Sequence, residues 1–201
     1  MANQICYLFG HSFPARLERL ARDRSVSAEC LCCLPLGMFL RVRGFSGLTF
    51  SRVLADPNRY LQCLTREPIR TLCIDLGTND LCNERNRPSD VVQQAIDLLG
   101  VLHRMGVRPR RIIFFSVIQR SSINRPGQIS IRTFNHRVRR YNSYLSRALR
   151  SGYPNVGMYM QRRISHPRHL VDGCHLSERA MNQYVTGIKE VLLRPDNYML
   201  G

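Results

Sequence analysis

The stretch QICYLFGHSFPARLERLAR, residues 4–22, decides the fold class. Its first part is a short apolar run, which is typical of a buried strand, and its second part places apolar residues at the spacing of an amphipathic helix. Gly10 lies between the two parts. The stretch therefore predicts a strand, a tight turn, and a helix that packs back on the strand.

Four more pairs of a strand and a helix follow along the chain. The predicted strands are residues 4–9, 38–42, 71–76, 111–118 and 156–159, and the predicted helices are residues 15–22, 52–65, 91–105, 133–150 and 177–193. Short apolar strands that alternate with helices are typical of a parallel sheet covered on both faces. We predict a three-layer α/β/α sandwich with a five-stranded parallel sheet, formed by one domain over residues 1–194 and followed by a short tail, residues 195–201.

The composition limits the class of protein. The 201 residues are 44% hydrophobic, enough for one core, and no run is long and apolar enough to span a bilayer. Since the apolar start lacks the flanks of a signal peptide, we interpret the eight cysteines as reduced thiols of a cytoplasmic or nuclear protein. We expect no metal, because the cluster of Cys30, Cys32 and Cys33 has no second ligand pair at a matching spacing.

The chain is strongly basic, with a net charge of +16, and all of its 30 basic residues except Lys189 are arginines. A guanidinium group pairs well with phosphates and carboxylates, so RNA, DNA or an anionic membrane surface is a physically sensible partner. A solvated surface is the alternative, because the arginines are spread along the chain. The candidates for an anion-binding surface are Arg120, Arg125, Arg137, Arg140 and Arg147.

The turn after the first predicted strand reads Gly10-His11-Ser12-Phe13. A serine on a turn from strand to helix is held exposed, and its backbone N–H lies at a helix N-terminus, where the dipole favours an oxyanion. Ser12 is therefore a candidate nucleophile. The alternative is that Ser12 only caps the helix that follows.

Two further turns belong to the same edge of the predicted sheet. Gly47, in the turn after the second strand, can offer a bare N–H. The third strand is followed by Gly77-Thr78-Asn79-Asp80, where the Asn79 amide can donate to a developing negative oxygen and Asp80 can brace the loop. Ordinary turns are the alternative for both segments.

The segment Asp172-Gly173-Cys174-His175 directly precedes the last predicted helix. A carboxylate three residues before a histidine can accept its Nδ1–H and leave Nε2 to take a proton from a serine. An exposed turn or half of a metal site is the alternative. Because the carboxyl ends of parallel strands form one crevice, we expect the other motifs to meet this pair there.

Together, the four segments resemble the blocks of the SGNH/GDSL hydrolase superfamily: GHSF with Ser12, GFSGLTF with Gly47, GTND with Asn79, and DGCHL with His175. The resemblance implies a flavodoxin-like sheet, no cofactor, and hydrolysis of lipid, acetyl or thioester acyl groups through an acyl-enzyme. It also implies a Ser12–His175–Asp172 triad and an oxyanion hole formed by Ser12, Gly47 and Asn79. The pattern is similar to that of animal members and of esterase domains carried by retrotransposons.

One block departs from the family pattern, because the usual Gly-Asp-Ser is Gly-His-Ser here. The aspartate of that block normally braces the loops, so the substitution affects the rigidity of the site more than the plan of catalysis. His11 can also shift the pKa of its neighbours or pair with Ser12, which would weaken activity. The alternative function is a weak or inactive basic module that binds RNA or DNA in a mobile-element protein. The residues expected to support the site are Gly10, His11, Gly77 and Asp80.

Overall fold

A five-stranded parallel sheet forms the centre of the molecule, whose computed structural model describes residues 3–122, 129–164 and 169–194. The strand order is β2-β1-β3-β4-β5, which is the flavodoxin-like order. The strands are β1 Gln4–Gly10, β2 Met38–Gly44, β3 Thr71–Asp75, β4 Arg111–Phe115 and β5 Val156–Tyr159. The predicted three-layer α/β/α sandwich is confirmed. Both the predicted tail, residues 195–201, and Arg125 lie outside the described residues.

Helices cover both faces of the sheet. Their bounds are α1 Ser12–Asp23, α2 Ala28–Leu31, α3 Phe50–Ala55, α4 Pro57–Leu61, α5 Thr78–Cys82, α6 Pro88–Arg104, α7 Ile131–Gly152 and α8 Glu178–Leu193. Side chains of α1 and α8 share one apolar cluster with alternate residues of β1. Side chains of α3, α6 and α7 share a second apolar cluster, which contains the other alternate residues of β1, Tyr7 and Phe9. The strands β3 and β4 are buried along their whole length, as expected of a sheet covered on both faces.

The helix α7 shows how the sequence pattern produces this packing. Its buried side chains recur at intervals of three and four residues, which places them on one face. The helix begins where the Ser130 hydroxyl accepts a hydrogen bond from the Thr133 N–H. Burial of each large apolar side chain contributes roughly 1.5–3 kcal/mol. The buried residues of α7 are Phe134, Val138, Tyr141, Leu145 and Leu149.

The prediction of one helix over residues 52–65 was wrong. The segment forms α3, α4 and a short 3-10 turn, Gln62–Thr65. Pro57 has no N–H to donate and its ring clashes with the preceding turn, so a continuous helix cannot pass through it. Asp56 instead caps α4 by accepting from the Arg59 N–H. The break was readable from Asp56-Pro57, which is a helix start signal.

The fourth strand ends at Phe115, three residues before the predicted end. Beyond Phe115, the side chain of Asn142 on α7 forms hydrogen bonds with both backbone groups of Val117. It accepts from the Val117 N–H at 3.0 Å and donates to the Val117 carbonyl at 2.8 Å. These bonds replace the sheet ladder. The short helices α2 and α5 were not predicted either.

Two further features bear on the sequence predictions. The described part of the chain contains no helix that is long and apolar enough to cross a membrane. None of the eight cysteines, all of which lie among the described residues, forms a disulfide, and four of them are buried.

Candidate active site

The carboxyl ends of β1, β2 and β3 are joined by backbone hydrogen bonds. The His11 N–H donates to the Asp75 carbonyl at 3.1 Å, and the Phe45 N–H donates to the Gly10 carbonyl at 2.9 Å. At Gly10, β1 and β3 are so close that a Cβ on this residue would collide with the Asp75 carbonyl oxygen. The turn that carries Ser12 is therefore fixed against β3.

Ser12 is the first residue of α1 and is half-buried. Its backbone N–H belongs to the first helical turn, whose N–H groups have no carbonyl partner within the helix. Its Oγ lies 3.2 Å from Nδ1 of His11, the residue before it. His11 is the N-cap residue but makes no side-chain capping bond. The hydroxyl of the predicted nucleophile is thus paired with the residue that departs from the family pattern.

The same His11 ring contacts a buried carboxyl group. Its Nε2 lies 3.1 Å from Oδ1 of Asp75, and both residues are 1% exposed. The other oxygen, Oδ2, accepts a hydrogen bond of 2.6 Å from the hydroxyl of Tyr184 on α8. Burial raises the pKa of Tyr184 well above its usual range, with the nearby Asp75 adding to the effect, so the phenol stays a donor. A chain of hydrogen bonds therefore runs from Tyr184 through Asp75 and His11 to Ser12.

Sequence reasoning missed Asp75 and Tyr184. Asp75 ends the strand TLCID, in which every residue is buried. A buried carboxyl group requires hydrogen-bond partners. This acidic residue in an apolar strand was therefore a signal for a polar partner nearby. Tyr184 offered no comparable signal, because its place on α8 follows from the packing of that helix alone.

The predicted Asp172–His175 pair is present as a local dyad. Oδ2 of Asp172 lies 2.6 Å from Nδ1 of His175, and Oδ1 accepts from the N–H groups of Cys174 and His175. Partial burial acts to raise the pKa of Asp172, but the hydrogen bonds from His175 and from these backbone groups outweigh it and hold the pKa well below its usual range. The dyad is half exposed, with side-chain exposures of 35% and 43%.

The loop that carries this dyad packs against its neighbours on two sides. The Ser122 hydroxyl donates to the Asp172 carbonyl at 2.8 Å, and the Ser121 N–H donates to the Gly173 carbonyl at 3.3 Å. On the other side, Arg16 of α1 donates to the Leu176 carbonyl at 3.1 Å. The loop is thus attached to the helix that begins at Ser12. No hydrogen bond joins Ser12 Oγ to His175 within the described residues.

The two loops predicted to supply oxyanion donors contact each other. Nδ2 of Asn79 donates to the Leu48 carbonyl at 3.0 Å, directly after Gly47. Gly47 has a φ of +73°, a backbone conformation that glycine adopts without strain. One amide hydrogen of Asn79 is engaged by this bond, and the second has no protein partner among the described residues. The bond holds the Asn79 side chain against the turn that carries Gly47.

Asp80 and Gly77 support this edge of the sheet. Oδ1 of Asp80 accepts from the Phe50 N–H at 3.0 Å, so the carboxyl group links α5 to the start of α3. Burial raises the pKa of Asp80 to about 6, although backbone N–H groups, that of Phe50 first, act to lower it. Gly77 has a φ of +105°, and a Cβ there would crowd the ring of Tyr141.

Three of the predicted anion-binding arginines have partners within the chain. Arg120 donates to the Thr78 hydroxyl at 3.1 Å. Arg137 donates to three carbonyl groups at the end of α5 and just beyond it. Arg140 bonds the hydroxyl of Tyr144 one turn along α7, whereas Arg147 is exposed. Binding of a polyanion at these residues stays a prediction.

Two cavities lie elsewhere on the sheet. The larger, about 730 Å³, is between α6 and the amino ends of β4 and β5, the edge opposite Ser12. The smaller, about 450 Å³, lies beside the carboxyl ends of β4 and β5 and is lined in part by Arg139, Arg150 and Arg162. Neither lining includes Ser12 or His175, which makes both cavities poor candidates for the substrate site.

Comparison with known proteins finds a similar fold among solved structures only. No family model matches the sequence, and no curated protein matches it. A GDSL-like lipase from Bacteroides thetaiotaomicron has a TM-score of 0.71 and 14% identity, covering 94% of this chain and 87% of that one. A member of the lipolytic G-D-S-L family from Veillonella parvula has a TM-score of 0.63 and 15% identity, covering 94% and 97%. An acetyl xylan esterase has a TM-score of 0.61 and 9% identity, covering 94% and 100%. The chain shares the fold of these hydrolases.

Proposed function

We propose that the chain is an ester hydrolase of the SGNH/GDSL kind, with Ser12 as its nucleophile. The observation that carries the proposal is the pairing of the Ser12 hydroxyl with an imidazole at the N-terminus of α1, at the edge where β1 and β3 end. A serine oxygen becomes a nucleophile when a neighbouring base can take its proton. The fold shared with lipases and esterases supports the same reaction class.

The oxyanion of the tetrahedral intermediate would be held by three donors. These are the N–H of Ser12 in the first turn of α1, the N–H of Gly47, and the second amide hydrogen of Asn79. The contact between the Asn79 side chain and the Leu48 carbonyl supports this assignment, because it holds Asn79 against the turn that carries Gly47. Each donor is expected to lower the barrier by on the order of 3 kcal/mol.

The Asp172–His175 dyad would act as a base that serves the Ser12 acyl-enzyme, so that the three residues form the predicted Ser12–His175–Asp172 triad. Its bond to Asp172 holds the hydrogen of His175 on Nδ1 and leaves the Nε2 lone pair free to take a proton. The low pKa of Asp172 keeps its carboxylate charged opposite the imidazolium that forms. The exposure of the dyad suits it to activate the water that releases the acid.

Hydrolysis of p-nitrophenyl esters, from acetate to decanoate, tests the proposal. We expect wild-type turnover to fall by about 10⁴-fold or more in Ser12→Ala, because the attacking oxygen is lost. Ser151→Ala, which removes an exposed hydroxyl at the far end of α7, serves as the control and should match wild type. Turnover retained in a folded Ser12→Ala protein would disprove the assignment. The acyl series would also identify the preferred chain length.

The alternative, a basic module that binds RNA or DNA in a mobile-element protein, stays a prediction. It is motivated by the charge of +16. Binding driven by phosphate contacts weakens steeply as salt increases. Binding to single-stranded RNA that does not change between low and moderate salt would argue against this alternative.

A further inference from the structure

We infer that Ser12 has a second, buried proton acceptor, His11, so that the chain carries a Ser12–His11–Asp75 triad in addition to the exposed Asp172–His175 dyad. The inference rests on the proposed function, since it concerns how the same nucleophile loses its proton. Its basis is a continuous set of hydrogen bonds from Ser12 to Tyr184, all of them at or below 3.2 Å.

The hydrogen-bond partners of His11 determine which of its two ring nitrogens can accept a hydrogen bond. Asp75 Oδ1 is an acceptor, so Nε2 of His11 carries the hydrogen that is shared with it. In the neutral ring, Nδ1 then holds a lone pair, and it faces the Ser12 hydroxyl at 3.2 Å. This distance lies within the range required of a general base before substrate binds. The Ser12 hydroxyl is thus the donor and His11 the acceptor.

The ring is held firmly in this orientation. Its backbone N–H donates to the carbonyl of Asp75, the same residue whose side chain bonds its Nε2. Its ring packs edge-on against Phe13 with centroids 4.9 Å apart, and Phe13 packs in turn against Tyr184. Because His11 and Asp75 are each 1% exposed, water does not compete for the hydrogen bond between them. The orientation that catalysis needs is therefore already present.

A purely structural pair would not need this arrangement. A buried histidine and carboxylate satisfy each other through one ring nitrogen, yet here the second nitrogen is used by the candidate nucleophile. The exposed dyad, in contrast, makes no hydrogen bond to Ser12 within the described residues. His11 touches the reacting oxygen, whereas Asp75 and Tyr184 act through it as positioning residues.

The proton balance of both steps can be written for p-nitrophenyl acetate. In acylation, Oγ bonds to the carbonyl carbon, its proton passes to Nδ1 of His11, and the ester C–O bond breaks with p-nitrophenolate leaving as the anion. In deacylation, water bonds to the acyl carbon and gives a proton to Nε2 of His175. Acetic acid then leaves, and Oγ takes its proton back from His11. His175 finally releases its proton to solvent.

Rapid mixing with p-nitrophenyl acetate separates the two steps, since the first equivalent of p-nitrophenolate reports acylation and the later release reports deacylation. In His175→Ala we expect a full burst of one equivalent, followed by turnover reduced about 10²-fold or more. In His11→Gln we expect the burst itself to slow by about 10²-fold. A structural role for His11 would change the stability of the protein but would not slow the burst of folded molecules.

A pair of tyrosine variants provides the matched control. Tyr184→Phe removes the bond to Asp75 and should slow the burst severalfold. Tyr159→Phe removes a comparable bond to Glu190, outside the candidate site, and should leave the rate of the burst unchanged.

No burst in His175→Ala, or a burst at the wild-type rate in folded His11→Gln, would overturn the inference. If His11→Gln does not fold, the His175→Ala result decides. Absence of turnover in wild type, or turnover in Ser12→Ala, would instead overturn the proposed function.

Discussion

Asp80 is a buried carboxyl group with one unpaired oxygen. Oδ1 accepts from the Phe50 N–H, but Oδ2 has no hydrogen-bond partner in the described structure. Burial raises the pKa of Asp80 to about 6, above the value of about 3.9 for an unfolded chain. Between these two values the folded protein holds a proton that the unfolded chain has lost. Asp80 should therefore make the fold less stable as the pH rises from about 4 to about 6.

The variant Asp80→Asn tests this dependence, because asparagine keeps an acceptor for Phe50 and has no charge to bury. We expect wild type to lose roughly 2–3 kcal/mol relative to the variant when the pH is raised from about 4 to about 7. The free energy of unfolding in urea, measured for both proteins at the two pH values, provides the comparison. Parallel pH profiles would contradict the assignment.

The candidate site was only partly predictable at the residue scale. Ser12, Asn79 and the local Asp172–His175 pair were readable, because each lies in a short motif beside a strand or helix end. The partners of His11 were not, because they depend on tertiary register. Asp75 meets His11 since β1 and β3 pair with Gly10 opposite Asp75. Tyr184 is 109 residues away from Asp75 along the chain.

The packing of α1 on β2 depends on a glycine at the end of the strand. Gly44 pairs with Gly10 in the sheet, and a Cβ at Gly44 would collide with the backbone of Ala15 in α1. Backbone atoms of a helix cannot move aside as the end of a flexible side chain can. We expect Gly44→Ala to destabilise the protein by at least about 2 kcal/mol and to displace the helix that carries Ser12.

Gly152→Ala is the matched control for this prediction. Gly152 is the last residue of α7, and a Cβ there meets nothing within 4 Å. Alanine in a helix is favoured over glycine by roughly 1 kcal/mol, so this variant should be neutral or more stable. Urea unfolding of the two variants and of wild type measures the difference. If Gly44→Ala were as stable as wild type, α1 could move away from β2 without loss of stability, and the prediction would be wrong.

At the scale of helices and strands, the sequence predicted what depends on local periodicity. The strands were found because the apolar runs are short and nearly continuous, and α7 because its apolar residues recur every three to four positions. The extent of β4 was overestimated, because its end is determined by Asn142 on α7, a contact that periodicity does not contain. The split between α3 and α4 was missed although Pro57 marked it.

The whole chain of 201 residues carries a net charge of +16. Such a net charge destabilises the compact state through repulsion among like charges. Among the described residues, ion pairs such as Arg24 with Glu178 and Arg43 with Glu18 oppose this repulsion, but they lie at the surface, where each contributes little. Added salt should therefore weaken the repulsion among the arginines more than it weakens the attraction within these ion pairs.

We expect the thermal midpoint of unfolding to rise by a few degrees when NaCl is increased from about 20 mM to about 200 mM, since the screening length falls to less than half. Differential scanning calorimetry at constant pH measures the shift. A midpoint that falls with added salt would mean that the arginines are stabilised mainly by attractive pairs.

The proposed activity requires Ser12 to be an activated nucleophile. The most direct measurement is reaction of the folded protein with a fluorophosphonate, followed by intact mass and peptide mapping. We expect one adduct per chain, located on Ser12 and absent from Ser12→Ala. An unmodified Ser12 in the folded protein, with no adduct or with the adduct on another residue, would contradict it.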